Sequence, residues 1–140
     1  MRHLTRMIVV VALVAAALAV TVAPASATTG LIVCNKGSWD PRPKNCMTLT
    51  SSGNYIDRAY VFIGETISFN RYGHWQFRWR QGGYDRYYNT TEFSSWSSVY
   101  YWYPRRYVDN HTWFCSRFWR NRGGWWDLPA GDWNCIWVTT

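Results

Sequence analysis

The residues best equipped for chemistry in this chain are arginines set among aromatics. Arg78 and Arg80 alternate with Trp75, Phe77 and Trp79, and Arg86 follows a Gly82-Gly83 pair. Arg120 and Arg122 lead through Gly123-Gly124 into Trp125 and Trp126. Arginine forks onto carboxylate or phosphate and stacks on aromatic rings, so the pattern suits gripping a ligand more than transforming one. Covalent catalysis is poorly provided for. After residue 27 the histidines are His74 and His111, and the run Ser94, Ser95, Ser97, Ser98 lacks a nucleophile-elbow pattern. Glycoside hydrolysis needs two placed carboxylates. Glu65 and Glu92 are the glutamates, while Asp85, Asp109, Asp127 and Asp132 sit in turn-like contexts where Asp is ordinary. An enzyme is not expected.

Neither glycine pair is followed by the Lys-Ser/Thr of a phosphate loop. Arg78, Arg80, Arg86, Arg105, Arg106, Arg120 and Arg122 resemble in type the cations that single-strand nucleic-acid binders interleave with stacking rings. The moderate charge, the export signal and the lack of a nucleic-acid module argue against that partner. Carbohydrate binding uses the same exposed rings as platforms, and it is the stronger competitor.

The compartment is readable at the start of the chain. Arg2, His3 and Arg6 precede an apolar run from Met7 to Val22, and Ala25-Ser26-Ala27 closes it. That is the layout of a secretory signal peptide cleaved after Ala27, and the run falls short of the ~20 residues that span a bilayer. Residues 28–140 then form a single secreted β domain, extracellular and without a later membrane span. Setting Arg2 and Arg6 aside leaves 13 basic residues against 8 acidic ones, a net charge of +5. Eleven of those 13 are Arg. The balance suits an anionic surface without requiring one.

Cys34, Cys46, Cys115 and Cys135 are an even set in a small exported chain, which reads as two disulfides. Three pairings are open to them. Cys34–Cys46 and Cys115–Cys135 are favoured because nearer partners cost less to bring together. No Cys-x-x-Cys pair is present, and neither histidine stands at ligand spacing from a cysteine; no metal and no other cofactor is expected.

The elements that must position these groups are strands. No stretch repeats apolar residues at helical spacing, and short runs of Val, Ile, Thr and aromatics are separated by Gly, Asn, Ser and Pro. The predicted strands are Leu31–Cys34, Met47–Leu49, Tyr60–Ile63, Thr66–Phe69, Trp75–Arg80, Val99–Tyr103, Trp113–Trp119 and Trp133–Val138, with Gly64-Glu65 as a tight hairpin. Alternation along Trp75–Arg80 assigns the three aromatics to a core and Gln76, Arg78 and Arg80 to the opposite face. Trp133, Cys135 and Trp137 alternate likewise and are expected to face inward. The chain carries 27 Trp, Tyr and Phe residues, more than one core of this size hides. Some of Tyr84, Tyr87, Tyr88, Tyr100, Tyr101, Tyr103, Trp125 and Trp126 must therefore be exposed, as contact surfaces are.

Phe77-Arg-Trp-Arg-Gln-Gly-Gly-Tyr-Asp85 is echoed by Phe118-Trp-Arg-Asn-Arg-Gly-Gly-Trp-Trp-Asp127, one residue longer, which suggests two related β units. Gly123-Gly-Trp-Trp-Asp-Leu-Pro-Ala-Gly-Asp-Trp-Asn134 resembles the second half of a βγ-crystallin-type Greek-key motif. Phe93-Ser-Ser-Trp-Ser-Ser-Val99 resembles that family's Phe-Asn-Asp-x-x-Ser-Ser-Val stretch, with Ser94-Ser95 in place of Asn-Asp. The resemblance covers residues 75–138; residues 31–73 have no counterpart, and the aromatic-to-glycine spacing departs from the motif in both copies. It implies no calcium, because Ser94-Ser95 cannot supply the acidic or amide pair. Exported bacterial proteins of this type include inhibitors of secreted metallopeptidases.

The expectation is an all-β fold, a small antiparallel Greek-key β-sandwich (βγ-crystallin-like) or compact β-barrel with two disulfides. The expected function is that of a monomeric, non-catalytic peptidase inhibitor presenting the turn from Arg120 to Trp126, stapled by Cys115–Cys135 and flanked by Arg80 and Arg86. Its partner would be a secreted peptidase. The competing expectation is a cell-wall or carbohydrate-binding or antimicrobial protein acting on anionic or glycan surfaces.

Overall fold

The computed structural model describes residues 28–35, 44–64, 71–95 and 99–140. The expected signal peptide, the Thr66–Phe69 strand and Glu65 of the expected hairpin lie outside them. Among the described residues, twelve strands form two antiparallel sheets built on one plan. In the first, β3 (Lys44–Ser52) and β4 (Tyr55–Gly64) form a long central hairpin. The short strands β1 (Thr28–Thr29) and β2 (Val33–Cys34) line the free side of β3. Strands β8 (Tyr100–Trp102) and β9 (Arg106–Tyr107) line that of β4. In the second sheet, β5 (Arg71–Gln81) and β10 (Thr112–Asn121) are central. Strands β6 (Tyr84–Asn89) and β7 (Phe93–Ser95) flank β5, and β11 (Trp126–Asp127) and β12 (Asn134–Val138) flank β10. The sheets stay open at their edges, so the fold is a sandwich and not a closed barrel.

Alternation decides which side chains fill the space between the sheets. Met47, Leu49, Ile56, Ala59, Val61 and Ile63 come from the first sheet, and Trp75, Phe77, Trp79, Phe114, Phe118 and Val138 from the second. Trp102 closes the layer: its ring lies 4.6 Å from Phe77, 5.3 Å from Trp79 and 5.9 Å from Phe114. Burying side chains of this size contributes on the order of 2–3 kcal/mol each. Ile56 and Ala59 both face inward although three residues apart, because a bulge at Thr50/Ser51 resets the phase of the hairpin.

The expected disulfides are present, Cys34–Cys46 and Cys115–Cys135. Each joins directly opposite residues of a short strand and a long one. One orientation is corrected. Trp133, Cys135 and Trp137 do not face the core; Asn134 and Val138 are buried and Ile136 packs against the core, while Trp137 is exposed. The phase of β12 is set by its pairing with β10, where Phe114 and Ser116 are the inward neighbours of Ile136 and Asn134. Cys115 pairs with Cys135 and therefore shares the outer face.

Buried asparagines hold the two layers together. Asn45 Nδ2 donates to the Ser116 carbonyl at 2.6 Å and Ser116 Oγ to Asn45 Oδ1 at 3.3 Å, a polar bridge from β3 to β10. Asn134 Nδ2 donates to the Val33 carbonyl at 2.7 Å. Asn35 receives the Asn45 N–H at 2.9 Å and donates to the Ala130 carbonyl at 2.5 Å. Such groups are costly to bury unless bonded, and here each has found a partner.

Candidate functional site

The Arg120–Trp126 turn is locked from within. Strands β10 and β11 meet through Arg120↔Asp127 and Asn121↔Trp126, which leaves residues 122–125 as the loop. Arg120 forks onto Asp127, Nε to Oδ1 at 2.9 Å and Nη2 to Oδ2 at 2.6 Å, and Arg122 Nε reaches the same carboxylate at 2.9 Å. Two-point pairing of this kind fixes orientation as well as distance. Asn121 Oδ1 accepts the N–H groups of Gly123 and Gly124 at 3.0 and 3.1 Å, and the Arg122 N–H donates to the Trp125 carbonyl at 2.9 Å. Hydrogen bonding from Arg120, with the charges of both arginines, holds the Asp127 carboxyl below its ordinary range against the opposing effect of burial. Outside this frame stands Trp125, 55% exposed, with the Arg122 guanidinium 5.3 Å from its ring centre.

The echoing turn at Gly82-Gly83 is built differently. Gln81 pairs with Tyr84, so two glycines with φ of 63° and 81° close the hairpin, the type I′ geometry that glycine permits. Their N–H groups both donate to the Asp109 carboxylate at 2.8 Å, and the Asp109 N–H returns a bond to the Arg80 carbonyl at 2.8 Å. Those backbone bonds, from Gly83 and then Gly82, hold the Asp109 carboxyl below its ordinary range. Because β5 and β10 run antiparallel, with Gly73 opposite Arg120 and Arg78 opposite Cys115, the two turns lie at opposite ends of the sheet. Arg80 and Arg86 therefore do not flank the Arg120–Trp126 turn. The staple expected for that turn is also remote: Cys115 lies five residues down β10 from Arg120, and the Asp127 network takes its place.

Between the turns, the outer face of the second sheet is a ladder of cations and rings. Arg117 stands 4.0 Å over Trp133 and 4.6 Å over Trp119, with Nε bonded to Gln76 at 2.7 Å and Nη1 to Asp132 at 3.2 Å. Arg78 lies 4.8 Å over Trp133, and its Nη2 is 3.7 Å from Cys115 Sγ. His74 meets Trp126 edge-on at 4.9 Å; burial pushes its pKa down, against the opposing charge of Glu92. Trp113 and Trp137 meet edge-on at 4.8 Å beyond the disulfide. The central arginines are thus spent on neighbours, and the ladder covers the Cys115–Cys135 bridge.

Of the expected site residues, Arg120, Arg122, Trp125 and Trp126 are together, Arg78 belongs to the ladder, and Arg80 and Arg86 lie at the far turn. Asp127, Asn121 and Asp109 went unrecognised as functional. Asn121 had a signal, since Asn two residues before a Gly pair is an Asx-turn pattern, and Asp127 had one in the recurring stretch of Gly-Gly, aromatic and Asp. Asp109 had none, because its partners are 26 and 27 residues away. Among the described residues the catalytic types do not converge. His74 packs on Trp126, His111 on Trp137, and Ser116 is buried against Asn45.

Compared with protein families, curated proteins and solved structures, the chain matches none. The functional reading therefore rests on its own geometry.

Proposed function

We propose that the protein is a secreted, non-catalytic binding protein that inhibits a peptidase by presenting the turn between β10 and β11. One observation carries this reading: the turn is held by its own Asp127 and Asn121 bonds while Trp125 and Arg122 point outward. A loop already fixed in its docking shape loses little entropy on binding, and Trp and Arg are the residue types that most often dominate interface energy. The two disulfides fit an oxidising, extracytoplasmic compartment. Release by cleavage after Ala27 is part of the same proposal, and sequencing the exported protein from Thr28 checks it.

The oxidised protein, titrated against secreted metallo- and serine peptidases, is expected to inhibit at least one at micromolar concentration or below. Trp125→Ala is expected to weaken that inhibition about tenfold or more, since truncating a central interface tryptophan costs about 2 kcal/mol. Lack of inhibition across the panel, or full potency in Trp125→Ala, would sink the reading.

A further inference from the structure

The strongest unassigned feature is an open groove of about 690 Å³ at the far end of the same sheet, lined by Trp79, Gln81, Gly82, Asp85, Arg86, Tyr87 and Arg106. Its floor is Trp79, 4% exposed. The Arg106 guanidinium lies 5.0 Å over the Trp79 ring and 5.8 Å over Trp102, and its Nε donates to the Pro104 carbonyl at 3.2 Å. Arg106 is thereby held in place by rings and backbone, without a carboxylate. Arg86 pairs across the sheet with Trp79, so alternation places the two on one face, toward Arg106. Neither arginine has an ion pair among the described residues.

The nearby acids do not neutralise them. Asp109 gives its two oxygens to the Gly82 and Gly83 N–H groups. Asp85, which pairs with Arg80 one step along the strand from Arg86, lines the groove as well but forms no ion pair with Arg86 or Arg106 among the described residues. Two arginines against the one carboxylate of Asp85 leave the groove's lining net positive, which raises its affinity for an anion, and guanidinium forks match planar and tetrahedral oxyanions. Tyr84 shares the face of Arg86 two residues away, a step of about 6.6 Å along a strand, and its side is 71% exposed. The row therefore offers a ring beside a cation, on an edge open enough for a polymer to pass.

We infer that this groove binds an acidic sugar unit of a polysaccharide, its carboxylate or sulfate held by Arg86 and Arg106 and its ring laid on Tyr84. This site is separate from the inhibitory turn, at the opposite end of the sheet, and stands or falls without it. The test is affinity electrophoresis and calorimetry of the whole oxidised protein with polygalacturonate, dextran sulfate, neutral dextran and polyglutamate. Binding is expected to polygalacturonate, to dextran sulfate or to both, which distinguishes carboxylate from sulfate, with none to dextran. Arg86→Gln is expected to weaken it about tenfold, the worth of one charge-assisted bond, while Arg122→Gln, with the same change of charge at the other end, leaves it unchanged. Tyr84→Ala is expected to weaken polysaccharide binding and leave any polyglutamate binding alone. Binding to neither acidic polysaccharide, equal losses in Arg86→Gln and Arg122→Gln, or polyglutamate binding as tightly as the polysaccharides would each overturn the inference.

Discussion

The two glycine turns of the second sheet share residue types and differ in what holds them. The Gly123-Gly124 turn draws on Asn121 and Asp127, members of its own hairpin. The Gly82-Gly83 turn is tied to Asp109, on the segment that crosses between sheets after β9. The first is self-sufficient and can be aimed outward. The second reports on the packing of the sandwich, because its anchor moves only if the sheets do. Similar sequence thus yields a display element at one end of the sheet and a tie at the other.

The harshest way to break this contrast is to disturb the joint common to both hairpins. A Cβ at Gly73 would run into the Trp119 carbonyl of the adjoining strand. Gly73→Ala is expected to lower stability by about 1–3 kcal/mol through overpacking, with both hairpins losing protection together in denaturant titration. Next come the anchors themselves. Asp109→Ala is expected to speed amide exchange at Gly82 and Gly83, and across the β9–β10 connection, while Gly123 and Gly124 keep their protection. Asn121→Ala is expected to speed exchange at Gly123 and Gly124 alone. A reciprocal spread of either effect would abolish the distinction.

Acid separates the turns more gently. Asp109 and Asp127 both have folded-state pKa values below the unfolded one. The stability they contribute is present above the unfolded carboxylate value of about 3.9 and is lost as pH falls through their folded values. Asp127→Asn is expected to remove its share of that acid slope and loosen its own turn at every pH; thermal melts between pH 2 and 5 check this. The smallest effect belongs to His74, whose folded pKa is also lowered. Its contribution is expected to fade as pH falls below the unfolded histidine value of about 6.5, and His74→Gln should flatten the melting temperature between pH 5 and 7.

Much of this architecture is legible in the sequence where the physics is local. The alternation of Trp75, Phe77 and Trp79 announced a core face, and those side chains are buried. The nearer cysteines paired, as loop closure favours. Legibility fails where a neighbour decides. Tyr84–Asn89 shows no alternation, being exposed along its length, and is a strand only because β5 offers it an edge. The inward reading of Trp133 and Trp137 failed because both faces of β12 carry apolar groups, and only pairing with β10 sets the phase. The asparagine ties span 71 to 101 residues, and nothing near Asn45 or Asn134 foretells them. The site divides the same way: the Asn121 turn has a local pattern, whereas Arg106 finds Trp79 only through the fold.

The placement of the disulfides has a consequence for life outside an oxidising compartment. Each bridge pins a flanking strand of five residues or fewer along the free side of a long one, β2 on β3 and β12 on β10. Those flanking strands act as covers over rows of backbone N–H and C=O groups that would otherwise recruit another chain. On reduction the covers are expected to fray before the core melts, leaving bare edges that favour aggregation while most of the sandwich is still folded.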